Sequence, residues 1–70
     1  MEMRALFLSR TAAYLAAERM AHRYGYSDAE ANLKCRVYPY YKRGELRGWE
    51  AWYPKGRGNS CVLESEVSYA

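Results

Sequence analysis

The sequence predicts an α+β domain, one helix packed on a small antiparallel sheet of three to four strands in the order (β)αβββ. Three observations carry that reading. Residues 10–24 are rich in alanine and other strong helix formers and lie between Ser9, an N-cap type, and Gly25, a stop. From residue 34 onward apolar and polar side chains alternate with period two, and glycine and proline punctuate the runs. Helical and extended stretches are segregated along the chain, which places a helix on one face of an antiparallel sheet.

At 70 residues the chain is one domain, 1–70, near the size at which a hydrophobic core just suffices. Residues 3–8, MRALFL, fit either a short strand leading into the helix or an extra N-terminal turn, and the strand is preferred. In the helix, Ala13, Ala16, Ala17, Met20 and Tyr24 recur at helical spacing as an apolar stripe of mostly small residues, with Glu18 and Arg19 on the other side. Ser27 and Glu30 have the capping-box spacing, so a single helical turn over residues 28–32 follows the Gly25 break.

In residues 34–42, Cys35, Val37, Pro39 and Tyr41 alternate with Lys34, Arg36, Tyr38, Tyr40 and Lys42. One face turns inward and the other stays wet. Pro39 has no N–H to give a ladder, so this strand belongs at a sheet edge or carries a bulge. Gly44 and Gly48 bracket a turn and residues 49–53 return. A hairpin centred near Glu45 sets Trp49, Ala51 and Tyr53 against Tyr41, Pro39 and Val37 inside. Outside, Trp52 joins Tyr38 and Glu50 lies across from Tyr40. A one-residue slip would bury Glu50 and expose Trp49, so the alternation selects this facing. Residues 54–59 form a second loop. Residues 61–69 form a third strand, with Cys61, Leu63, Val67 and Tyr69 facing one way and Glu64 and Glu66 the other. The expected core is Val37, Tyr41, Trp49, Ala51, Tyr53, Leu63 and Val67 under Ala13, Ala17 and Met20.

The net charge of +3 comes from the middle of the chain. Residues 34–57 hold seven of the eleven Lys/Arg and six of the eleven aromatic residues, whereas residues 1–33 sum to zero and residues 58–70 to −2. Lys34, Arg36, Tyr38, Tyr40, Lys42 and Trp52 share the wet face, with Arg43 and Arg47 at the turn and Lys55 and Arg57 in the next loop. Rings on such a face stack bases or anchor a protein partner, and the cations suit phosphates or carboxylates. The opposing account is a solvated amphipathic sheet face that uses tyrosine for packing alone.

Catalytic chemistry finds little support. Lys55-Gly56-Arg57-Gly58 lacks the spacing of a phosphate-binding P-loop and reads as a hairpin loop. His22, the one histidine, stands beside Arg19 and Arg23 as a surface helix residue with no second ligand nearby. Cys35 and Cys61 make neither a disulfide framework nor a CxxC pair and read as two reduced, buried thiols. The carboxylates are scattered. No metal, cofactor or catalytic set is expected, and the chain reads as a non-enzyme. Its longest uncharged run, residues 11–17, is far short of a membrane span, and its first residues lack a signal-peptide pattern, so a cytoplasmic protein with no membrane partner is expected.

In size, α+β layout and lack of a catalytic motif, the chain resembles the small phage-encoded inhibitors grouped as anti-CRISPR proteins. Several of these are helix-on-sheet domains that occlude a nucleic-acid groove. The resemblance implies a CRISPR effector as partner, and the basic charge implies an acidic surface, or nucleic acid held together with protein, instead of DNA mimicry. The leading functional reading is therefore a phage or mobile-element inhibitor or adaptor that binds a larger protein or nucleoprotein complex through the hairpin face. The alternative is a nucleic-acid-binding module using the same face. A self-associating homodimer, paired along residues 61–69, ranks third with a winged helix–turn–helix. The latter would use residues 12–24 and 28–36 as its helices and residues 38–53 as wing, but its recognition helix would open on Asp28 and Glu30, which phosphates repel.

Overall fold

The computed structural model describes residues 4–56 and 60–63. It is an α+β domain of two helices and one antiparallel sheet: α1 (Arg10–Arg23), α2 (Asp28–Lys34), β1 (Arg36–Lys42), β2 (Glu45–Pro54) and β3 (Ser60–Val62), with β2 central in the order β1-β2-β3.

Helix α1 forms where the propensities place it. The Ser9 hydroxyl accepts from the Ala12 N–H, and Gly25, at φ +88°, closes the other end. There the Gly25 N–H bonds the His22 carbonyl and the Tyr26 N–H the Ala21 carbonyl, the paired contacts of a Schellman motif. The capping box of α2 is complete, Ser27 accepting from the Glu30 N–H while the Glu30 carboxylate accepts from the Ser27 N–H. That start nucleates a helix two residues longer than the expected turn, so Lys34 ends α2 and does not begin a strand.

The buried stripe of α1 is Ala13, Ala17 and Ala21, which pack with Ala31, Cys35, Ala51 and Tyr53. Met20, Val37, Trp49 and Leu63 border this cluster, partly buried. Small residues let the helix lie close to the sheet, and the aromatic rings wall the contact instead of filling it. No large side chain among the described residues is fully buried.

The hairpin departs from the expected register in three ways. Its turn is the two-residue Arg43–Gly44, both at positive φ (+55° and +80°), which is the primed geometry that matches strand twist. β2 therefore starts at Glu45, not Trp49. A bulge between Tyr40 and Tyr41 leaves Arg47 as the extra residue, so Val37 pairs with Ala51, Pro39 with Trp49 and Tyr38 with Glu50. This lies two residues from the predicted pairing and so preserves which face each side chain takes. Beyond the bulge Tyr41 pairs with Leu46 and is 59% exposed, outside the core in which it was expected.

Glu50 is a further correction. It is not wet but 7% exposed, because Arg4 reaches across from the N-terminal segment and forms an ion pair with it. That segment runs along the edge of β2 away from β1: Phe7 and Trp49 exchange both backbone hydrogen bonds, and the Ala5 N–H reaches the Leu63 carbonyl. It makes bridge contacts instead of the continuous strand expected for residues 3–8. Because Trp49 spends its backbone groups on Phe7, its cross-strand partner Pro39 turns its ring nitrogen to the outer edge of β1, where a missing N–H costs no ladder bond. Of the predicted third strand, residues 64–69, including Val67, lie outside the described residues.

Candidate binding face on the hairpin

Helix α1 covers one face of the sheet, and the other carries most of the residues singled out in the sequence. At the base of the ladder Arg36 opposes Trp52, next Tyr38 opposes Glu50, then Tyr40 opposes Gly48, and Lys42 opposes Glu45 at the tip. The alternation thus brings Arg36, Tyr38, Tyr40, Lys42 and Trp52 onto one surface.

The middle of this face is aromatic and neutralised. Tyr38, half-exposed, stands edge-on to Trp52 with ring centroids 6.4 Å apart, an arrangement favoured by the ring quadrupoles. The Arg4 guanidinium lies 5.7 Å from the centre of the Tyr40 ring while pairing with Glu50, which offsets the charge of both groups. Sequence reasoning missed Arg4 and Glu50. The one available signal was an acidic residue in the middle of a basic, aromatic strand pair, since a carboxylate there is either solvated or answered by a buried cation.

The cations gather at the two ends. Lys42 and Arg43 are exposed at the tip, and the Arg47 Nη2 lies 3.5 Å from the Glu45 carboxylate. At the base, the Lys34 ammonium sits 5.8 Å from the centre of the Tyr26 ring, and Lys55 is exposed beyond the end of β2. Arg36 is partly engaged: its Nη1 donates to the carbonyls of Leu33 (2.6 Å) and Cys35 (2.8 Å), the last groups of α2. A cation there also complements the negative end of the helix dipole. Arg57 lies outside the described residues.

Among the described residues, one buried side-chain polar atom lacks a partner. The Trp52 indole nitrogen is shielded from solvent yet meets no acceptor, an arrangement that costs about 1–3 kcal/mol.

Away from the face, His22 is exposed as expected and its Nε2 lies 2.7 Å from the Asp28 carboxylate. Burial holds the Cys35 thiol above its ordinary 9.0, with the Glu18 charge adding to the effect; Cys61 is only partly buried, a departure from the expected pair of buried thiols. Tyr14, its pKa raised first by desolvation and then by Glu18, donates to the Asn32 side chain at 2.7 Å and ties α1 to α2. The described residues contain no cluster of three metal-ligating side chains, and no helix among them is long and apolar enough to cross a membrane.

Compared with protein-family models, curated proteins and solved structures, the chain matches none.

Proposed function

We propose that this chain is a non-enzymatic binding protein, an inhibitor or adaptor that docks its hairpin face on a larger protein or nucleoprotein complex. The observation that carries the reading is the order of chemistry along the face: an aromatic, charge-compensated centre of Tyr38 and Tyr40, extended by Trp52 at the base, with cations toward both ends. Protein interfaces have this anatomy, with Trp, Tyr and Arg anchors at the centre and a solvated polar rim. A groove for single-stranded nucleic acid needs cations running beside the stacked rings so that each phosphate is met. Here the cation beside Tyr40 already answers Glu50.

The test is a double change, Tyr38→Ala with Lys42→Glu, read by affinity for the partner complex and by thermal melting. Both side chains are exposed, so the melting temperature should hold within a few degrees while affinity falls at least tenfold. Arg36 is left intact because it caps α2. Retained affinity in the double variant overturns the reading. The nucleic-acid alternative predicts instead that the unaltered protein shifts a short probe and loses most of that affinity between roughly 50 and 200 mM salt.

A further inference from the structure

The base of the hairpin face holds two sets of hydrogen-bond donors that meet no acceptor among the described residues. The Trp52 indole N–H meets no acceptor. Directly across the ladder, Arg36 uses only Nη1, on the Leu33 and Cys35 carbonyls; its Nη2 and Nε meet no acceptor among the described residues. Lys34, the last residue of α2, and Lys55, just past the end of β2, flank the pair along the chain. Among the described residues no carboxylate is paired with Arg36 or Trp52, and Glu50, the nearest along β2, is already paired with Arg4.

We infer that Arg36 and Trp52 form a carboxylate-binding corner, which anchors an Asp or Glu side chain of the partner protein on the proposed face. The chemistry selects the ligand. A guanidinium fork and an indole N–H present planar donors that match the two in-plane oxygens of a carboxylate. The two carbonyls that hold Nη1 keep the guanidinium in place before the ligand arrives, which lowers the ordering cost of binding. The indole nitrogen is shielded from solvent, so the ligand reaches it by displacing a neighbouring side chain. That movement is assigned to the half-exposed Tyr38 ring, edge-on to Trp52, as a rotation that takes picoseconds to nanoseconds in exposed residues. The inference rests on the proposed function for the identity of the partner, but the corner can be probed without that partner.

The experiment follows the Trp52 indole N–H resonance, assigned by its loss in Trp52→Phe, during titration with a short Asp/Glu-rich peptide. The same peptide with Asn and Gln in place of the acids, and inorganic phosphate, serve as comparisons. The acidic peptide should shift the Trp52 signal and leave that of Trp49 in place, and the amide peptide should do neither. An unmoved Trp52 signal, or an equal response to the amide peptide, overturns the inference. Phosphate as effective as the acidic peptide overturns its carboxylate specificity. Trp52→Phe keeps an aromatic side chain, though a smaller one, and removes a buried donor without a partner, so the two effects on stability offset and its melting temperature should hold within a few degrees while acidic-peptide affinity falls about tenfold or more. A structural role would instead lower the melting temperature. If the peptide binds as expected but the Tyr38/Lys42 double change leaves partner affinity intact, the corner stands and the proposed docking face falls.

Discussion

Gly48 shows how much one missing carbon can decide. A β-carbon at that position would lie 3.0 Å from the Leu6 β-carbon and 3.0 Å from the Phe7 carbonyl oxygen, and the second contact is backbone that cannot swing aside. Gly48→Ala should therefore cost about 1–3 kcal/mol, measured by urea denaturation, by pushing the N-terminal segment off β2. Trp49→Ala, which empties the wall of the core beside Phe7, should cost about 3 kcal/mol, the low end for a tryptophan because the ring is only partly buried; Trp52→Ala should cost less, and the reverse order would reject the facing described. Cys35 adds a pH dependence. Its folded thiol titrates above the ordinary 9.0, so the stability due to burying the neutral form is complete below about pH 9 and is lost as pH rises through the folded value. In thiol labelling at neutral pH, Cys61 should react first and Cys35 only on opening of the fold.

At the scale of elements, the helices follow local chemistry. Ser27→Ala removes the hydroxyl that accepts from the Glu30 N–H and should lower stability by about 1 kcal/mol, with helical signal lost at α2. The hairpin tip is less settled. Arg43 occupies left-handed backbone at φ +55°, where asparagine or glycine is favoured in a primed turn. Arg43→Asn should raise stability by about 0.5–1 kcal/mol, read as an increase in melting temperature. If partner affinity falls in the same variant, the tip carries its cation for binding at the expense of the turn. At the outer edge of β1, Pro39 interrupts the row of free N–H groups and so discourages pairing with another strand.

For the whole molecule, the consequence is a thin core with charge sorted by region. Alanines set the distance between helix and sheet, and among the described residues the face away from α1 has no second layer of secondary structure over it; its side chains lie on one another instead, Tyr38 against Trp52 and Arg4 over Tyr40. Salt separates the two classes of partner at this scale. Aromatic docking with a cationic rim should weaken only modestly between roughly 50 and 200 mM salt, while binding through several phosphate contacts falls by orders of magnitude.

Much of this was legible in the residues. Strong local signals, Ser9 and Gly25 around an alanine-rich stretch and the Ser27–Glu30 box, determined both helices. Period-two alternation determined that Arg36, Tyr38, Tyr40, Lys42 and Trp52 share a face, because side-chain direction in a strand depends on parity alone and survives a register shift of two. Tertiary structure decided what parity leaves open. The turn at Arg43–Gly44 and the bulge at Arg47 set the pairing and pushed Tyr41 out of the core. The burial of Glu50 depended on Arg4, 46 positions away in the chain, and no local pattern encodes which distant cation will meet a carboxylate once the backbone has brought two edges together.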